Sequence, residues 1–249
     1  MALLHGTGRG VRIAVLDSGV NPRFPLLQNR VGAVYNCQKE GESLRIDEMR
    51  PDENSDRTGH GSYVESCIRK VAPDARIDHF RVLDADNNTS GTLLCYVLDH
   101  VVEQGYHIVH LSLGTRTESH VPWLVGITKR AYERHTSIVA AASNVGSTVY
   151  PSKFPYCISC DATSAEHPLQ VRFRPHSVIE FSGWGINVPV EGPNNVIEQL
   201  TGSSYAAAHI TGLAARVVEI LGGTPSPLDV KTTLRDYALE LERHTRQAV

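Results

Sequence analysis

The sequence predicts an α/β fold with a mostly parallel central sheet flanked by helices, on three observations. Short apolar runs bounded by turn residues alternate with helical patterns about 10 to 15 residues long, the signature of βαβ units. Runs such as Ile138 to Ala142 are apolar at every position, as in strands covered on both faces. No internal repeat, low-complexity tract or linker interrupts the pattern, so residues 1–249 are expected to form one domain.

In chain order, "VRIAVLD" reads as a strand, "SYVESCIRKV" as a helix, "RIDHFRVLD" as a strand and "TLLCYVLDHVVEQ" as a helix. "HIVHLSLG" is a strand, "VPWLVGITKRAYERH" a helix and "SIVAAAS" a strand. "CISCDAT", "VIEFSGWG" and "NVPVEG" read as further short strands, followed by a long buried helix in "SYAAAHITGLAARVVEIL". "SPLDVKTTLRDYALEL" makes the last helix, with Ser226 or Asp229 as its cap. The polar, charge-rich stretch from Tyr35 to Arg57 is expected to be surface loop.

Composition narrows the function classes. Lys and Arg number 24 against 27 acids, and a net charge of −3 gives no electrostatic case for nucleic acid or an anionic membrane as partner. "MALLHGTGRG" is too short and polar for a secretory signal, and no apolar run approaches the roughly 20 residues of a membrane span. Five cysteines is an odd count; all are expected to be reduced, which points to the cytoplasm. Cys157 and Cys160 lie three apart in a strand and so face opposite ways, as do His107 and His110, and no second Cys/His pair sits at ligand spacing, so a zinc or redox role for the cysteine pair is the minor alternative to a structural one.

In open parallel sheets ligands bind beyond the carboxyl ends of the strands. Asp17 follows "VRIAVL", and Asn144 follows "SIVAAAS". His60 sits between two glycines at a helix start, and Ser204 precedes a helix rich in small residues whose free amides favour negative charge. Singly, each reads equally well as a turn or cap residue. Together they supply what acyl transfer needs: a serine nucleophile, an imidazole to take its proton, and a carboxylate to hold that imidazole. Asn144 and the Ser204 amide would bind the oxyanion, and no cofactor or metal is called for. The chain order Asp17, His60, Ser204 is that of subtilisin.

On these residues the sequence resembles the subtilisin family (subtilases) of serine peptidases, from about Gly6 to the last helix. "GTGRGVRIAVLDSGV", "DRTGHGSYVES" and "GSSYAAAHITG" are similar to the family's aspartate, histidine and serine motifs, and "VAPDARI", "RVLD", "HLSLG", "AAASN" and "YPSKFPYCIS" to segments between them. The resemblance implies a three-layer subtilisin-like fold and a serine endopeptidase in which Asp17 orients, His60 is base and acid, Ser204 attacks and Asn144 completes the oxyanion hole. It also implies that substrate pairs as an added strand with Ser112, Leu113 and Gly114. Ser90, Gly91 and Thr92 would form the opposite rim, and Ala140, Ala141, Ala142 and Ser143 the wall of the P1 pocket.

Several positions depart from the family pattern. Ser203 stands for the usual Thr, Tyr205 for Met, Ala208 for Pro, Ser143 for the Gly before the oxyanion Asn, and Tyr63 for a second His. The calcium-binding loop that many members insert in the helix after the histidine motif is missing, and no metal is expected. With no leader or propeptide in the sequence, a pared-down intracellular enzyme of restricted specificity is expected, acting on a peptide or protein substrate, with a dedicated precursor peptide or a regulatory partner as its restraint. A peptide-binding module with lost chemistry, or a ligase or macrocyclase using the same acyl-enzyme, remain open alternatives. An esterase built on Ser204, Asp229 and His244 would need a glycine where Ala206 stands.

Overall fold

A computed structural model describes residues 2–41, 43–52 and 55–247. Eleven strands and five longer helices alternate along the described chain. They are β1 (Arg12–Asp17), β2 (Val34–Glu40), β3 (Ser43–Met49), α1 (His60–Val71), β4 (Arg76–Arg81), α2 (Gly91–Glu103), β5 (Ile108–Leu111) and α3 (Val121–Glu133). After these come β6 (Ser137–Ala141), β7 (Cys157–Thr163), β8 (Val171–Phe173), β9 (Phe181–Trp184), β10 (Val188–Glu191), β11 (Ile197–Leu200), α4 (Ser203–Leu221) and α5 (Pro227–Gln247).

Nine strands form one sheet in the order β3-β2-β4-β1-β5-β6-β7-β9-β8, parallel from β2 through β9 and antiparallel only at its two edge pairs. Its two faces carry separate cores. Ile13 and Val15 of β1 point toward α1 and α4, while Ala14 and Leu16 point toward α2 and α3. The same period of two puts Cys160 in the first core and Cys157 in the second, as their spacing predicted. The result is the predicted three-layer α/β arrangement, helix on sheet on helix.

The stretch from Tyr35 to Arg57 is not the expected loop. Much of it is the β2–β3 hairpin, paired from Val34 with Met49 to Glu40 with Ser43, although Glu42, Glu53 and Asn54 lie outside the described residues. An edge strand covers only part of one face, so β3 needs just Leu44 and Ile46 against the α2-side core and keeps Arg45 and Asp47 outside, 2.6 Å apart. Charged side chains on such an edge also discourage pairing with another chain. β8 and β11 are further strands that the residue pattern did not reveal. The last helix is capped as predicted: Ser226 Oγ accepts from the Asp229 amide, and the Asp229 carboxylate accepts from the Ser226 amide and hydroxyl.

All five cysteines are unpaired and buried. Burial pushes the Cys37, Cys67 and Cys157 thiols up to about 12 and Cys95 to about 11, which leaves no cysteine poised as a nucleophile. Among the described residues no helix is long and apolar enough to cross a membrane.

Candidate active site

The carboxyl ends of the parallel strands carry the predicted residues. β1 ends in Asp17, and the chain turns through Ser18 and Gly19 directly against the start of α1. Two glycines permit that approach. A Cβ on Gly61 would lie 2.1 Å from the Gly19 carbonyl oxygen, and one on Gly19, at φ +110°, would lie 1.9 Å from that of Ser55. With the backbones so close, His60 Nδ1 donates to Asp17 Oδ1 at 2.7 Å. The same oxygen accepts from the Ser18 amide at 2.8 Å, and Oδ2 is buried with no hydrogen-bond partner among the described residues.

Asp56 organises the helix start. Gly59, which precedes α1 in the left-handed region, offers no capping side chain, and Asp56 caps from further upstream. Its Oδ1 accepts from the Ser18 hydroxyl at 2.8 Å and the Gly59 amide at 2.9 Å. Its Oδ2 accepts from the Ser62 amide at 2.9 Å and hydroxyl at 2.6 Å. One buried carboxylate thus joins the turn after β1 to the first turn of α1, and so fixes Asp17 relative to His60.

Electrostatics follow from this geometry. Burial works against the ionised Asp17, but the His60 charge and hydrogen bond, the Ser18 amide and His110 outweigh it and hold the carboxyl below its usual range. Burial likewise disfavours a charged His60, yet the Asp17 charge, its hydrogen bond and Asp56 raise the imidazole above its usual value of 6.5.

Ser204 lies in the first turn of α4 and is 7% exposed. The free amides and dipole of a 19-residue helix converge there. The neighbouring Tyr205 ring lies 5.9 Å from the His60 ring, centroid to centroid, which brings the α4 start to the histidine. Asn144 joins the same cluster: its Oδ1 accepts from the Ser203 amide at 2.8 Å, and its Nδ2 faces Gly202, 3.6 Å from where a Cβ would stand there. The Ser203 hydroxyl donates to the Ala142 carbonyl at 2.6 Å and ties the end of β6 to α4.

The flanking segments have defined supports. Ser112 follows β5, and its Oγ lies 2.6 Å from His110 Nε2, while His110 Nδ1 lies 2.9 Å from Thr211 Oγ1. Burial lowers His110 to about 4, so a neutral imidazole links Ser112 to α4. Gly114 is held against Tyr150, whose carbonyl oxygen would be 2.4 Å from an added Cβ, and the next residue, Thr115, pairs with Tyr150. Of the other rim, Ser90 is extended and its hydroxyl caps α2 by accepting from the Leu93 amide, while Gly91 and Thr92 already lie in the first helical turn. Gly91 packs on His120, and Thr92 Oγ1 lies 3.2 Å from His120 Nε2. Ala141 is buried, Ala142 half-buried, and the Ser143 hydroxyl is committed to Ser147 Oγ at 2.8 Å. Sequence reasoning assigned no role to Asp56, Ser18 or His110. The signal for Asp56 was an acid four residues before a glycine-flanked histidine.

The family model described as "Subtilase family" matches residues 8–248. The chain belongs to the subtilase family. Subtilisin Savinase of Lederbergia lenta is 29% identical to this subtilase over 94% of the chain and 86% of its own length. The alkaline protease of Alkalihalobacillus alcalophilus is also 29% identical, and the chain spans 60% of its length. The major intracellular serine protease of Bacillus subtilis (strain 168) is 28% identical over 84% of the chain and 69% of its own. Among solved structures, a cold-adapted subtilisin-like serine proteinase superposes with a TM-score of 0.71 at 20% identity, covering 93% of this chain and 83% of that one.

Proposed function

We propose that this subtilase is a serine endopeptidase that cleaves peptide bonds through an acyl-enzyme. Ser204 Oγ attacks the scissile carbonyl while His60 takes its proton; the proton then passes to the leaving amine, and water repeats the sequence to free the acid. Asp17 holds His60 in the Nδ1–H tautomer, which leaves Nε2 unprotonated to act as base. The Asn144 amide and the Ser204 backbone N–H bind the oxyanion. Substrate strands pair with Ser112, Leu113 and Gly114, opposite Ser90, Gly91 and Thr92, and the P1 side chain enters beside Ala141, Ala142 and Ser143.

The observation that carries the reading is the 2.7 Å His60–Asp17 hydrogen bond, made by a histidine whose ring packs beside the start of α4. The substrate is a peptide or protein, and restricted specificity would rest on a dedicated precursor peptide or a regulatory partner. The unpaired, buried cysteines and the likeness to a relative named as intracellular support a cytoplasmic setting.

The test is intact mass after incubation with a fluorophosphonate. One stoichiometric adduct is expected on the parent and none on Ser204→Ala or His60→Ala. No adduct on folded parent protein would replace the peptidase reading with that of a peptide-binding module.

A further inference from the structure

A cavity of about 510 Å³ opens one residue from Asp17, between the histidine loop, the outer end of β2 and the segment 82–90. Its lining includes Ser18, Lys39, Arg57, Arg81, Asp84 and Ser90. Three cations therefore face one acid in a chain whose net charge is −3. Asp84 is partly spent within its own loop, where Oδ1 accepts from the Asp86 and Asn88 amides. Arg81 donates from Nε and from a terminal nitrogen to Asn36 Oδ1, a neutral partner that holds the guanidinium in place without an ion pair. Among the described residues no carboxylate forms an ion pair with Lys39, Arg57 or Arg81; burial and then the nearby Arg57 charge lower the Arg81 pKa, and the charges of Asp52 and Asp56 only partly oppose them. Two neighbouring guanidiniums, of which Arg81 is held below its usual pKa, gain from an anion between them.

The cavity also has a defined relation to the peptide path. Ser90 lines it and begins the rim that would flank the acyl half of the substrate, while Ser18, bonded to both Asp17 and Asp56, forms its inner end. Thr89, another lining residue, has its hydroxyl buried without a partner among the described residues.

We infer that this cavity is an anionic side-chain subsite: it receives an Asp or Glu located two to four residues before the scissile bond, with Arg57 and Arg81 as the specificity-determining groups. The inference rests on the peptidase reading for the direction of the peptide, and an acidic precursor segment is the substrate class it selects. A guanidinium pair bonds a carboxylate through parallel N–H donors, which the neutral isosteres Asn and Gln cannot match and Lys or Arg would oppose.

The test uses a mixed-sequence peptide pool in two arms. In one, the parent chain cuts the pool and the products are sequenced by mass spectrometry; in the other, Ser204→Ala captures peptides from the same pool without cutting. Acidic residues should be enriched about fivefold or more at one fixed position on the acyl side of the cut, and in the captured set. Arg57→Glu, at an exposed position, should erase that enrichment or turn it toward Lys and Arg, with an unchanged melting curve showing that the fold survives. Acidic capture without any cutting supports the subsite and sinks the peptidase reading. Cutting with no acidic preference overturns the subsite and leaves the peptidase reading standing. No acidic enrichment in either arm overturns the subsite.

Discussion

The Ser203 amide donates to Asn144 Oδ1 at 2.8 Å. This bond orients the side chain: with the carbonyl oxygen committed to α4, the Nδ2 donors are turned toward the space beside Gly202 and Ser204. Ser203 also holds the Ala142 carbonyl, so the β6 loop and the α4 start are fixed to each other at two points. A preorganised donor of this kind costs nothing to orient when negative charge develops.

Asn144→Ala is expected to lower kcat by roughly 10²–10³ while KM changes little, a magnitude that belongs to the corresponding amide of subtilisin. Steady-state kinetics on any cleaved peptide checks it. A drop confined to KM would assign Asn144 to ground-state binding instead.

The pH profile follows from His60. Catalysis requires the imidazole unprotonated at Nε2, and Asp17 and Asp56 raise its pKa above 6.5 despite burial. The rate should therefore climb with pH through a midpoint above that of an ordinary histidine, since the protonated form that dominates below it cannot act as base. Asp17→Asn removes the charge and favours the wrong tautomer, so the midpoint should fall and kcat should drop by about 10⁴. A kcat/KM profile of the two proteins decides the matter, and an unmoved midpoint would show that Asp17 does not set the His60 pKa.

Close approach of β1 to α1 gives a stability prediction. Gly61→Ala places a methyl 2.1 Å from the Gly19 oxygen and 3.3 Å from the Asp17 Cβ, and neither backbone can yield without moving Asp17 from His60. Overpacking of this kind costs about 1–3 kcal/mol. For a chain of this size that is a fall in Tm of about 2–12 °C. Fluorophosphonate labelling should slow together with it. Gly105→Ala makes the control: Gly105 has open space around the added methyl but a φ of +67°, so it loses stability through the backbone alone and should leave labelling unchanged.

The layered fold and the grouping of the candidate site residues at the sheet's carboxyl end were legible because each left a local trace. Strands buried on both faces, such as Ile138–Ala141, show as unbroken apolar runs, and Asp17, His60 and Ser204 each occupy a short motif at an element boundary. The β2–β3 hairpin was not legible, because an edge strand needs few apolar residues and its Arg45 and Asp47 read as loop. Asp56 and His110 were missed for a different reason. His110 matters through Thr211, a partner distant along the chain that no local pattern encodes, while the spacing of Asp56 before His60 hints at its cap on α1 but not at its bond to Ser18.

The buried charges behind the candidate active site supply the last prediction. Glu65 on α1 is fully buried, and its two oxygens meet Arg69 Nε at 2.7 Å and His79 Nε2 at 2.8 Å; Arg69 in turn donates to the Arg30 carbonyl. One carboxylate thus ties the helix that begins with His60 to β4 and to the loop before β2. Removing one member of such a set strands the others: Glu65→Ala leaves a buried guanidinium without its counter-charge, and about 3–5 kcal/mol of stability should be lost. Glu65→Gln keeps the shape and one acceptor, and should lose less. Chemical denaturation of the three proteins measures the difference. Equal stability of parent and Glu65→Ala would mean that solvent reaches Arg69 once the carboxylate is gone, and that the network serves to align α1 on the sheet and adds nothing to the free energy of folding.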